Sequence, residues 1–303
     1  MKSVLEGFFV FLFLLLPDIT SAQVKMTMTK IADGVYFMQN SAGSSNSTFV
    51  VTGEGVLVFD FDIRTADQTL AAIRKLTDKK VKYLISSHAA GDHATGAWHF
   101  REDKPVYIAT KNQVQDLFMQ EAKEFEERAN DPKVVGYKGR ELVRPDIGFD
   151  GAMTLHFGGL TFQITAEGRG HSTGDLTMFI PQKRLMLMGD LLDTEIHPGQ
   201  GESAGVWFSN VKGWIQILDN IMARNLPVET YVPGHGPVHM GRGVKDLKSK
   251  SAISSSCATR SPRWSRQVKH WTRSKRSSRF RRSSLTIRGR RDSKRSTSFS
   301  TIN

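Results

Sequence analysis

His88, Asp92 and His93 lie within one short stretch, Ser86-Ser87-His88-Ala89-Ala90-Gly91-Asp92-His93-Ala94-Thr95-Gly96. The apolar run from Val81 to Ile85 precedes it and reads as a buried strand. The three groups therefore sit where a strand gives way to a loop. Neutral imidazole nitrogen and carboxylate oxygen both ligate zinc, at about 2.0–2.2 Å. Asp92 and His93 are adjacent and cannot both point along the direction that His88 takes. A loop can aim the three groups at one metal ion or at two neighbouring ones. Two glycine-rich turns further along carry one histidine each. They are Gly168-Arg169-Gly170-His171-Ser172-Thr173-Gly174-Asp175 and Tyr231-Val232-Pro233-Gly234-His235-Gly236-Pro237. Between them the apolar run Leu185 to Met188 ends in Gly189-Asp190. Each candidate ligand follows a strand-like run, as a site at one edge of packed sheets requires.

The order His-x-x-x-Asp-His, Gly-His-Ser, Gly-Asp, Pro-Gly-His-Gly resembles the metallo-β-lactamase superfamily of zinc hydrolases, over about residues 28 to 243. The resemblance implies an α/β fold of the αββα four-layer sandwich type and a metal-dependent hydrolase. Residue by residue, it implies that His88 and His171 hold one zinc ion. Asp92, His93 and His235 would hold a second, with Asp190 bridging the two. One departure stands out. The family's first motif is His-x-His-x-Asp-His, and here the middle histidine is Ala90. A methyl group cannot bind a metal, so the first position is expected to bind weakly, with substrate only, or not at all. One or two ions are therefore expected, and iron or manganese also suit such ligands.

Zinc lowers the pKa of bound water from about 15.7 to near 7. A metal-activated water is thus the expected nucleophile, acting on an ester, lactone, thioester or related carbonyl or phosphoryl substrate. Asp92 is the candidate catalytic residue, orienting that water and passing on its proton. β-Lactam hydrolysis is the alternative within the same class. A carboxylate at Asp190, in place of cysteine or serine, resembles the lactonase and thioesterase branches, whereas export favours β-lactams. A degenerate, non-catalytic metal- or ligand-binding member is the reading from another class, and Ala90 motivates it.

The elements that must position these groups follow from pattern. Thr48 to Val51 and Gly55 to Phe59 read as a hairpin around Gly53-Glu54-Gly55, ending in Asp60-Phe61-Asp62. Asp60 is a candidate acceptor for a ligand imidazole. Thr65-Ala66-Asp67-Gln68 reads as a capping box before the stripe Leu70, Ile73, Leu76. Lys111 to Ala129 reads as an amphipathic helix burying Val114, Leu117, Phe118 and Phe125. Residues 130–150 read as a polar excursion near the mouth of the site. Met153 to Phe157 pairs with Leu160 to Thr165, and Leu176 to Ile180 pairs with Arg184 to Met188. Trp214, Ile217, Leu218 and Ile221 mark a helix before the strand that delivers His235. His99, His156, His197 and His239 match no motif position; His197 and His239 lie in loops near motif residues.

At 303 residues and 39% hydrophobic content the chain can bury a full core. The net charge of +12 is uneven. Residues 247–303 hold 17 Lys and Arg against one acid, leaving 25 basic residues against 29 acidic in the rest. The reading is a signal peptide over 1–22, a hydrolase domain over 23–246 and a basic, Ser- and Arg-rich disordered tail over 247–303. The signal is a charged start at Lys2, an apolar run from Phe8 to Leu16 too short to span a bilayer, and small residues before Gln23. Cleavage implies a periplasmic or secreted protein with no membrane attachment. The tail changes character within a few residues, as a shifted reading frame would make it. The expected partner is a small-molecule substrate, with at most non-specific nucleic-acid binding by the tail. The sole cysteine, Cys257, lies in that tail, so no thiolate ligand and no core disulfide is expected.

Overall fold

The computed structural model describes residues 24–41, 44–196 and 209–260, with side chains to residue 256. The signal peptide expected over residues 1–22, His197 and the residues beyond 260 lie outside these residues. Two sheets form the centre. The first runs β1 (Met26–Ala32), β2 (Val35–Asn40), β3 (Ser47–Val51), β4 (Val56–Phe59), β5 (Val81–Ile85), β6 (Val106–Thr110) and β7 (Ile147–Phe149), in that order. The second is ordered β12 (Thr230–Val232), β11 (Leu185–Leu187), β10 (Asp175–Ile180), β9 (Leu160–Gly168) and β8 (Ala152–Phe157).

The strands are apolar on both faces because each sheet is covered twice. In β4, Leu57 and Phe59 join Phe37, Ile85 and Ile108 in a core shared with Phe162, Ile164, Met178 and Leu187 of the second sheet. The alternate residues Val56 and Val58 face α1 (Ala66–Leu76) through Ile73, together with Phe100 and Leu117. The outer face of the second sheet, with Phe179, Met186 and Tyr231, packs on Trp214, Ile217, Leu218 and Ile221. That apolar stripe, spaced at helical period, belongs to the helix Val211–Ala223, which carries the label α5 below. The result is the expected helix–sheet–sheet–helix stack. Among the described residues no helix is long and apolar enough to cross a membrane.

Topology brings the candidate ligands to one edge. β4, β5 and β6 are parallel, so Asp60 and His88 leave the first sheet at the same end. β11 and β12 are parallel, so Asp190 and His235 leave the second sheet together. β10 runs antiparallel to both β9 and β11, which places the His171 turn at that same end.

Three local expectations change. Thr65 makes no side-chain cap. Gln68 instead accepts from Met26 N and donates to Val24 O, tying β1 to α1. The helix from Lys111 is broken into α3 (Lys111–Asp116), a π-helical turn (Leu117–Glu121) and α4 (Ala122–Asn130), with the four-residue α2 (Gly91–Ala94) earlier in the chain. The wider turn rotates Phe118 outward, where it is 39% exposed against Arg144, while Leu117 and Glu121 stay buried. Finally, the domain does not end at residue 246. Helix α6 (Val244–Arg260) runs through the expected boundary, burying Leu247, Lys250 and Ser254. Those positions are a helical i, i+3, i+7 stripe occupied largely by polar residues, so hydropathy alone does not reveal it.

Candidate metal centre

Asp190 is the hub. Its Oδ1 lies 3.2 Å from His93 Nε2. Its Oδ2 lies 3.3 Å from both His171 Nε2 and His235 Nε2, and 3.8 Å from His88 Nε2. Asp92 Oδ2 stands 3.5 Å from His235 Nε2 and 3.8 Å from His93 Nε2. His93 and His235 face each other through their Nε2 atoms at 3.2 Å. All six residues read from the sequence thus meet in one place.

Among the described residues two groups could hold a metal ion, His88 with His93 and Asp190, and Asp92 with His93 and His235. The second is the set expected from the sequence. The first differs from expectation, with His93 in place of His171. The His171 ring packs edge-on at 4.7 Å from that of His88 and approaches the group through Asp190. Ala90 is half-buried at the start of α2 and offers no donor.

The donor set fits a cation. His88 Nε2 is buried without a hydrogen-bond partner among the described residues. Buried polar atoms left so are costly, by about 1–3 kcal/mol each. Without a cation, protons must do its work. Burial holds His88 and His171 neutral, with pKa values near about 3. Burial also opposes charge on His93 and His235, but Asp190 and Asp92 outweigh it at both. The pKa of His93 lies well above the ordinary imidazole value, and that of His235 is pushed up to about 10. Burial likewise disfavours an ionised Asp190, yet the surrounding imidazoles hold its carboxyl well below the usual range.

Several residues outside the ligand set position it. Asp60 has φ 61°, a left-handed conformation uncommon outside glycine. The turn aims its carboxylate back at the loop, where it accepts from Ser87 N at 2.6 Å and Ser87 Oγ at 2.9 Å. Its Oδ2 lies 3.0 Å from His93 Nδ1. With Nδ1–H donating there, Nε2 keeps its lone pair for the centre. The role foreseen for Asp60 is thus matched by its contacts. Three others have no counterpart in the sequence reading. Gln113 donates to Ser87 O at 2.9 Å and Gly174 O at 2.8 Å, joining the His88 and His171 loops. Asn46 donates to Gly236 O at 2.8 Å and fixes the His235 turn. Asp175 accepts from Gly170 N and Ser172 N, closing the loop around His171; burial pushes its pKa up to about 7. The one available signal was Asp175 itself, four residues after His171 in a Ser-Thr-Gly-Asp turn.

Close backbone approach requires glycine at both Gly189 and Gly234. Gly189 has φ 51°, and a Cβ there would meet Ser87 Cβ at 2.3 Å. At Gly234 a Cβ would meet Asp190 Oδ1 at 2.1 Å. The other described histidines stay apart from the hub. His99 bonds Ile63 O, His156 is exposed beside Thr161, and His239 lies between Glu195 and Asp246.

The profile of the metallo-beta-lactamase superfamily matches residues 40–235. The chain belongs to the metallo-beta-lactamase superfamily. It is similar to the metallo-beta-lactamase type 2 of Bacteroides fragilis, with 26% identity over 222 residues, covering 70% of this chain and 79% of that protein. The type 2 enzyme of Bacillus cereus is 22% identical over 204 residues, covering 67% and 71%. Among solved structures, a metallo-beta-lactamase from Pontibacter korlensis superposes with a TM-score of 0.61 at 18% identity, covering 76% of this chain and 99% of that one. The DIM-1 metallo-beta-lactamase does so with 0.61 at 16%, covering 77% and 99%. These likenesses show the fold. Family membership makes the chain a metal-dependent hydrolase.

Two predictions follow from the site's hydrogen bonds and charges. Asp60→Asn keeps the shape but loses the carboxylate that fixes the His93 tautomer. Metal affinity should fall about 10–100-fold, read by competition with a chromophoric chelator. Wild-type affinity would remove Asp60 from the centre. In the metal-free protein His235 carries a proton below about pH 10. A metal must displace it, so affinity should rise with pH between about pH 6 and 9, with protons released on binding. Calorimetry in buffers of different ionisation enthalpy measures that release; none at about pH 7 would contradict the charge assignment.

Proposed function

We propose that the chain is an exported zinc-dependent hydrolase acting on an ester, lactone, thioester or related carbonyl or phosphoryl substrate. The carrying observation is the convergence of His93 Nε2, His235 Nε2 and both Asp190 oxygens within 3.2–3.3 Å. Asp92, His93 and His235 are the proposed ligands of the principal ion, with Asp190 between it and the position served by His88 and His171. Oxygen and nitrogen donors alone, with no cysteine among the described hub residues, suit zinc and also iron or manganese. Bound there, a divalent ion supplies an activated water and an electrophile for the substrate oxygen.

The chain's own residues supply the rest. Asp92 is 27% exposed at its side chain, so it faces the solvent side of the hub. Burial would raise its pKa, but His93 and His235 overcome this and keep it low. An ionised Asp92 beside the ligand nitrogens can hold the attacking water by one hydrogen and take its proton. The same carboxyl, once protonated, can return that proton to the leaving group. His88 and His171 stay neutral and are donors ready for a weaker second ion. Ala90 supports the reading that the first position is the weaker one.

The leader-like text of residues 1–22 supports export to the periplasm or beyond. A second reading, β-lactam hydrolysis, draws on the names of the relatives, which are metallo-beta-lactamases. The carboxylate hub at Asp190 favours the first reading. A panel of ester, lactone, thioester, phosphodiester and β-lactam substrates, run with added zinc, tests both. The expected outcome is turnover of a non-lactam member that falls to background in His235→Ala along with bound zinc. Preferred turnover of the β-lactam would establish the second reading. Wild-type zinc content in His235→Ala would overturn the ligand assignment itself.

A further inference from the structure

Lys250 is a lysine only 2% exposed, inside the segment whose composition reads as a tail. A buried ammonium is costly unless it is paired and hydrogen-bonded. Its Nζ lies 2.5 Å from Asp193 Oδ2 and 4.5 Å from the centre of the Trp214 ring. Both partners lead to the hub. Asp193 pairs its backbone with that of His235 in a parallel bridge, and the next residue, Thr194, donates its N–H to His235 O at 3.0 Å. Trp214 is fully buried, and its Nε1 donates to Leu191 O at 3.0 Å, one residue beyond Asp190. Its ring stands edge-on at 5.2 Å from the ring of His171. One cation on α6 thus touches the supports of three of the six hub residues.

We propose that Lys250 is a positioning residue. From α6 it fixes Asp193 and Trp214, and through them it holds Asp190, His171 and His235 in the arrangement that binds the metal. This rests on the metal-centre reading above. The alternative is a brace that stabilises the fold without shaping the site. The two differ in what happens to a folded protein that lacks the ion pair. Breaking a buried pair from one side leaves an unpaired charge, which can unfold the chain; removing both charges avoids that penalty.

The experiment therefore compares wild type, Lys250→Met and the double variant Lys250→Met/Asp193→Asn. Zinc affinity is measured by chelator competition on the folded fraction, and metal-free stability by chemical denaturation. The expected result is a zinc affinity about 10–100-fold weaker in the double variant, even where its stability matches wild type. Lys250→Met should be weaker still in affinity or fail to fold, and the double variant then decides. Wild-type zinc affinity in the folded double variant overturns the proposal and leaves the metal centre standing. A wild-type protein that binds neither zinc, iron nor manganese overturns the metal centre, and this proposal with it.

Discussion

Asp190 has two carboxylate oxygens, and the Nε2 atoms of four histidines crowd around them at 3.2–3.8 Å. A buried carboxylate in such company cannot remain uncompensated, because taking charge out of water costs several kcal/mol or more. Protons on His93 and His235 meet the need in the absence of metal, and a divalent cation meets it better. Much of the surrounding sequence serves this one demand. Gly234 and Gly189 let backbone approach the hub where any side chain would collide. Asp60 fixes His93 from behind, and Asp175 closes the loop around His171.

The sandwich makes such a hub affordable. Two sheets share the core built on Phe37, Leu57, Phe162 and Met178. Their strand directions deliver the ligand loops to one end, so no ligand depends on a long flexible excursion. Catalytic donors must be held within about 0.5 Å of a working arrangement, and rigid strand ends serve that better than long loops. Gln113 and Asn46 then tie loops of the two sheets across that end. The outer helices contribute too. Trp214 of α5 packs against His171, and α6 covers Trp214 with Lys250.

What the sequence discloses and what it hides follow from the range of each interaction. Ligand motifs are local, with strand, glycine turn and donor within a few residues, and all six donors come together at one end of the sandwich. The double-sided strands announce themselves by continuous apolar runs at Val56–Phe59 and Val81–Ile85. The polar ties are hidden because their partners lie far apart in the chain: 190 residues separate Asn46 from Gly236, and 61 separate Gln113 from Gly174. The nearness of His93 to His88 and Asp190 depends on how a four-residue helix turns, which spacing alone does not determine. Phe118 was misplaced because a π-helical turn breaks the 3.6-residue period on which the stripe was counted. The boundary at residue 246 failed for a related reason. The buried face of α6 includes Leu247, Lys250 and Ser254, and its lysine is buried against Asp193 and the Trp214 ring.

The central claim is that these donors form one metal centre hinged on Asp190. Anomalous scattering at the zinc edge, from crystals grown with about one equivalent of zinc, tests it most directly. The account predicts a single strong peak about 2.0–2.2 Å from Nε2 of His93, Nε2 of His235 and a carboxylate oxygen of Asp92. A principal peak away from these atoms, with His93 and His235 still facing each other across unfilled space, would contradict it.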